Sequence, residues 1–229
     1  MAAAFQHFSA AHLGAIVMTF VGPLGLCAVS RLSGGSISRT IDWLLATVLV
    51  SSEILNFILL HRDGELTIER AVPMHLCNWA AIATLITLVY PNQWSYELSY
   101  FWAMGATLQA LLTPDLSYEF PDPRFLSFFL LHGGVIASAL YLTFCLGMRP
   151  VPMSILRVLA WSMLYLATAM AANNVFKTNF GYLRSKPLHA SILDYMAPWP
   201  FYIPELVLLA IVLCLLFYTP FFLHDHLRK

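Results

Sequence analysis

Charge is what this chain has least of. Asp, Glu, Lys and Arg make up 10% of its 229 residues while 59% are apolar, against roughly 25% charged residues in ordinary soluble domains. That shortage excludes a water-soluble globule and describes a polytopic membrane protein. Neither sign is in excess either. Twelve basic residues balance twelve acidic ones in small groups between apolar blocks, so no basic surface for nucleic acid can be assembled. Cys27, Cys77, Cys145 and Cys214 each lie singly in an apolar block; without a CxxC or similar pairing pattern they do not report a redox compartment. The opening MAAAFQHFSAAHLGAIVMTF lacks the basic n-region of a signal peptide and enters an apolar run too long to be one, so it reads as a retained first span. The absence of DHHC, HExxH and GxSxG runs disfavours palmitoyltransferases of the known type, zincins and hydrolases built on a nucleophile elbow. The last apolar segment has no lysine, so a retinal Schiff base has no attachment point.

What is present is a series of apolar segments, each long enough to cross a hydrocarbon layer of about 30 Å as a helix. There are seven: 10–30, 40–61, 74–90, 96–113, 124–147, 152–173 and 200–223. The breaks carry turn chemistry: SGGSIS at 33–38, HRDGE at 61–65, Pro91-Asn92, the stretch from Thr113 to Pro123, and Arg149 to Pro152. The expected fold is therefore all-α, one seven-helix transmembrane domain over 1–229. One connection is long: residues 174–199 mix Lys177, Arg184 and Lys186 with five aromatics and two prolines. That amphipathic loop between helices six and seven is either an interfacial segment at headgroup level or a lid. Basic residues divide six against six between the two faces. The uncharged N-terminus followed by Arg31 and Arg39 leans toward N-terminus outside and C-terminus inside.

Polar residues inside spans are costly and mark functional hypotheses. Glu53 and Asn56 lie in the second segment, Gln109 in the fourth and His132 in the fifth; His75, Cys77 and Asn78 open the third, and Asn173 closes the sixth. Because direction alternates, even-numbered helices end on the face where the third and fifth begin. Glu53 and His132 then share a depth of about 12 Å, with Cys77 about one turn inside the same face. The loop 174–199 connects on that face and could cover them. A thiol is a nucleophile as thiolate, and an imidazole within hydrogen-bond reach activates it. The expected constellation is Cys77 as nucleophile, His132 as base and Glu53 holding the imidazole tautomer. His75, two residues from Cys77, points elsewhere on a regular helix.

Each of these residues also has a structural reading: Cys77 as a small hydrophobe, His132 beside Gly133 and Gly134 as a packing residue, Gln109 as interhelical glue. His189 and Asp194 form an HxxxxD spacing like that of glycerolipid acyltransferases, a pattern that chance supplies readily in a chain with eight histidines. The HDH of 224–226 is too small a cluster for a metal site without further ligands. No cofactor or metal is called for.

Taken together, PMHLCNWAAI, GATLQALLTPDL, FFLLHGG, NNVFKTNFGYLRSKPLHASILD and APWPFYI resemble the YwaF-type integral membrane family over about residues 40–205. A mammalian transmembrane acyltransferase that places polyunsaturated chains on ether phospholipids is a more distant relative. The resemblance implies a seven-helix fold and a catalytic cysteine and histidine, which fall on Cys77 and His132. By position, His75, Gln109, Asn173, Asn179, Tyr182, Lys186 and Trp199 are expected to contact the substrate. The expected function is lipid acyl transfer, or acyl hydrolysis, with a phospholipid or lysophospholipid as partner. A transporter or receptor-like protein binding a small solute is the alternative.

Overall fold

The computed structural model of the chain describes residues 4–227 and is all-helical, with an isolated bridge between Ala4 and Tyr118 as its extended pairing. In chain order come α1 (Ala10–Leu32), α2 (Ser38–Arg62), the short α3 (Ile68–Ala71), α4 (Leu76–Val89) and α5 (Gln93–Trp102). The last of these continues through a π turn (Ala103–Thr107) into α6 (Leu108–Leu112), and α7 (Pro123–Phe144), α8 (Pro152–Phe176) and α9 (Tyr202–Leu227) follow. The ends sit where the sequence supplies caps. Ser9, Asn92 and Asp122 accept from the first-turn amides of α1, α5 and α7, filling donors that a helix leaves unpaired, and Pro123 and Pro152 occupy first positions that need no amide.

Among the described residues, six helices are long and apolar enough to cross a membrane: α1, α2, α3 with α4, α7, α8 and α9. The expected fourth segment differs in kind. It is the composite helix α5–π–α6, and Ser95 through Met104 are all buried. It is the centre of the bundle, which is why it carries QWSYELSYFW where its neighbours carry aliphatic runs. Serine and threonine hydroxyls join it to α4 and α7: Thr84 to Ser99 at 2.7 Å, Thr87 to Ser95 at 2.8 Å and Tyr96 to Thr143 at 2.9 Å. Such bonds take the place of the hydrophobic effect, which does little between helices in lipid.

Hydrogen bonds fix two faces. On one, Arg39 donates to the carbonyls of Leu88 and Val89, Gln93 to that of Arg149, and Arg149 pairs with Asp225 at 2.6 Å. On the other, Arg124 pairs with Asp63 at 3.1 Å and with Asp122 at 2.9 Å, and Ser9 donates to Glu119. The composite helix runs from the first face, at Gln93, to the second, where Leu111 accepts from His12 at 2.9 Å. Asp63 and Asp122 are held below the usual carboxylate range by hydrogen bonds from Arg62 and Arg124 respectively. That clamp is therefore complete at neutral pH and is lost as pH falls through the lowered range.

Glu97 is the one fully buried carboxylate of the central helix. Arg157 meets it with two hydrogen bonds, of 2.7 and 2.5 Å, and Gln93 adds a third at 2.9 Å. Arg157→Ala leaves that carboxylate buried without its cation. The expected cost is about 2–3 kcal/mol, below the usual cost for a buried pair because the guanidinium is partly solvated; a thermal melt in detergent reads it, and Glu97→Gln in the same background should recover part of the loss.

Candidate functional site

The HLCN run begins α4, and its polar residues divide between holding the helix start and facing its surroundings. His75 is the extended N-cap, at φ −75° and ψ 151°. Asn78, three residues on, reaches back to accept the His75 amide at 3.2 Å and donates from its other end to Glu53 at 3.0 Å. Asn78 is thus a capping residue that also ties α4 to α2. Two expectations change. The Glu53 carboxylate holds Asn78 and is not hydrogen-bonded to His132. Since Glu53 is nine residues from the end of α2, about 14 Å along the helix, its bond to Asn78 sets the start of α4 at that depth and not one turn below the face. Residues 63–75, with α3, return to that depth as a largely exposed segment.

Cys77 is half-buried, in the first turn of α4. Around this helix start lie Glu53, bonded to Asn78, Tyr165, packed with Leu76 and Trp79, and Thr107, in the π turn that packs on α4. Thr107 is fully buried and Tyr165 nearly so, and neither hydroxyl has a hydrogen-bond partner. Neither residue stood out in the sequence, where one lies in an ordinary GATLQ run and the other among apolar neighbours.

His132 projects from α7, stacked on Phe128 with ring centroids 4.0 Å apart. Its Nδ1 lies 2.8 Å from the Phe128 carbonyl. A carbonyl only accepts, so Nδ1 carries the proton and Nε2 of the neutral ring is an open acceptor. The tautomer role expected of Glu53 belongs to this carbonyl. His75 is arranged the other way: Nδ1 accepts the Gly181 amide at 3.4 Å, which leaves the proton on Nε2. As the N-cap it also lies outside the helix, so helical spacing does not separate it from Cys77. His75 and His132 are close enough for their charges to interact. No hydrogen bond joins Cys77 to either ring, but α4, α7 and the π turn pack directly on one another.

Residues 177–199 fold over this face, and most polar groups expected to touch substrate there hold the loop itself. Asn173, buried at the end of α8, accepts from Phe180 N–H at 2.6 Å and Thr178 at 3.0 Å and donates to the Phe180 carbonyl at 3.0 Å. Asn179 accepts the amides of Arg184 and Ser185 and donates to Ser185. Lys186 donates to the Met196 carbonyl at 2.8 Å, and the Trp199 indole to that of Leu183 at 3.0 Å. These four are corrected to scaffold residues, because closing an irregular loop requires its backbone groups to be paired. Tyr182 donates to Asp115 at 2.9 Å, and the other oxygen of Asp115 takes His189. The HxxxxD spacing therefore holds no pair: Asp194 caps the Ser191 amide instead. Gln109 is half-buried on α6, with its side chain free of hydrogen bonds among the described residues. A hollow of about 330 Å³ opens on this face between His7, Thr113 and Ile192 to Tyr195.

The family model of the TMEM164 family matches residues 3–218. The chain belongs to the TMEM164 family. The match covers the composite helix, the π turn and the loop over the site, so these belong to the family's common domain and not to an appendage of this chain. It makes the chain a member of a transmembrane protein family, in keeping with its six apolar helices. Neither a curated protein nor a solved structure matches it.

Proposed function

We propose that this TMEM164-family protein is a membrane-embedded lipid acyltransferase in which Cys77 is the nucleophile and His132 the base. The observation that carries the reading is a half-buried thiol at the start of a helix, at the depth of an imidazole whose Nδ1–H is fixed and whose Nε2 is open. An imidazole presented in this tautomer can take a proton without rearranging. Glu53 acts through Asn78 as a positioning residue, fixing the first turn of α4 and so Cys77. The motif resemblance to the ether-phospholipid acyltransferase points to the same pair. The acceptor is a lysophospholipid, its phosphate met by Lys177 and by the outward N–H groups of Arg184. A solute-binding protein would line a polar cavity with Glu53, Gln109, His132 and the asparagines, and of these Glu53, Asn78 and Asn173 are engaged in holding the start of α4 and the loop.

The reading is tested by adding isotope-labelled lysophospholipid to the purified protein in phosphatidylcholine vesicles and following labelled diacyl product by mass spectrometry. Product formation that depends on Cys77 supports it; no product from either ester- or ether-linked lysophospholipids overturns it. Release of free fatty acid in its place assigns hydrolysis of the same intermediate. The reading also requires the composite helix to count as a seventh crossing, which puts residue 9 and residue 225 on opposite faces. Membrane-impermeant labelling of single cysteines introduced near the two ends should reach one end from outside, the N-terminal one, and the other only after permeabilisation.

A further inference from the structure

We propose that the hydroxyls of Tyr165 and Thr107 form an oxyanion site for the ester carbonyl attacked by Cys77. This rests on the reading of Cys77 as nucleophile. Four buried side-chain oxygen atoms lack a partner among the described residues, and two of them border the start of α4: Tyr165, on α8, packs with Leu76 and Trp79, and Thr107 lies in the π turn that packs on α4. An orphaned buried hydroxyl is costly, and a fold that leaves two of them beside one helix start keeps two donors for a group that is not part of the chain.

The π turn sets Thr107 apart. The other buried threonines of the spans, Thr19, Thr84, Thr87 and Thr143, each donate to the carbonyl four residues back, at 2.7 to 2.9 Å. For Thr107 that carbonyl is Ala103, and in the π turn it accepts the amide of Leu108, five residues on. Unlike the other four, the Thr107 hydroxyl does not bond that carbonyl and is left without a partner among the described residues. Turns of this kind recur at functional sites. Tyr165 is held from the other side. Its ring meets Trp79 edge-on at 5.3 Å, and its hydroxyl presses on Gly181 so closely that a Cβ there would stand 2.5 Å away. The same Gly181 donates to His75, so one glycine of the loop fixes both the tyrosine and the imidazole that border this helix start.

The step balances without another reagent. His132 takes the Cys77 proton, the thiolate forms a C–S bond to the ester carbonyl carbon, and the carbonyl π pair moves to oxygen, where the two hydroxyls receive the charge. Collapse restores the C=O bond and expels the lysophospholipid alkoxide, which takes a proton from the His132 imidazolium. The acceptor hydroxyl then returns its proton to His132 as it attacks the thioester, and the thiolate leaves.

The test compares acylation and alkylation of Cys77 in the full-length protein. Dioleoylphosphatidylcholine vesicles are the ester probe, followed by intact mass, and iodoacetamide is the alkylating probe, whose reaction forms no oxyanion. Tyr165→Phe and Thr107→Val should each slow acylation about 10²- to 10³-fold and leave alkylation within about twofold of wild type, with Thr107→Ser restoring the rate. The two sites are separate, so if one variant does not fold the other still decides. Acylation within about twofold of wild type overturns the inference and leaves Cys77 as nucleophile. A parallel fall in both reactions assigns the hydroxyls to packing, which also overturns it. Wild-type protein that takes no acyl group, although its thiol alkylates, removes the proposed function and this inference together.

Discussion

Cys77→Ala should abolish lipid turnover, a loss of more than about 10⁴-fold, while the protein purifies and melts like wild type. The magnitude follows from the role: without sulfur no covalent intermediate forms, and acceptor hydroxyl and donor ester must then meet directly in a site built for two half-reactions. Stability should change by no more than about 1 kcal/mol. The residue is half-buried, and the cap of its helix rests on His75, Asn78 and Glu53, not on the thiol. The other cysteines are internal controls. Cys27 and Cys214 are buried, and Cys27 neighbours Cys145 near the opposite face, beside Arg31. Their alanine variants should keep turnover. Initial rates of labelled diacyl product, read beside thermal melts, check all four.

His132→Ala should lower kcat by about 10²- to 10⁴-fold with little change in KM. His75→Ala should instead act mainly on KM. The difference comes from the two rings' hydrogen bonds. The Nδ1–H of His132 is fixed on the Phe128 carbonyl, leaving Nε2 as an acceptor, and its loss removes the proton carrier from both half-reactions. The acceptor nitrogen of His75 is spent on the Gly181 amide, with its ring against Phe180 at 5.7 Å and Tyr182 at 5.9 Å. Its removal unpins the loop over the site and leaves proton transfer in place. Steady-state kinetics with lysophospholipid varied at fixed donor separate the two. Equal kcat losses from both variants would contradict the assignment of His132 alone as base.

The helices were legible because their ends carry local signals: Ser9, Asn92 and Asp122 as caps, Pro123 and Pro152 at first positions, glycine at 34, 35 and 64 with positive φ. The shared depth of Glu53 and His132 was legible from alternation of direction alone, and the Asp63–Arg124 pair sets those two helices in register. The depth of Cys77 was not, because the bond from Asn78 to Glu53 that sets it leaves no periodic trace. The loop residues misled for a chemical reason. Asn173, Asn179, Lys186 and Trp199 carry the donors and acceptors that a ligand site needs, and an irregular backbone needs the same groups to pair its own amides and carbonyls. Sequence shows the supply of polar groups and not their destination. Thr107 was hidden differently: GATLQ reads as plain helix and gives no sign of the π turn in which its hydroxyl lies.

The account depends on sulfur chemistry at one position. Protein extracted from its own membrane and kept from nucleophiles, then weighed intact before and after hydroxylamine, measures that directly. The expected result is a fraction heavier by one fatty acyl chain, mapped to the peptide containing Cys77, removed by hydroxylamine and missing from Cys77→Ala. A Cys77 that stays unmodified while the protein turns over labelled lipid would contradict it.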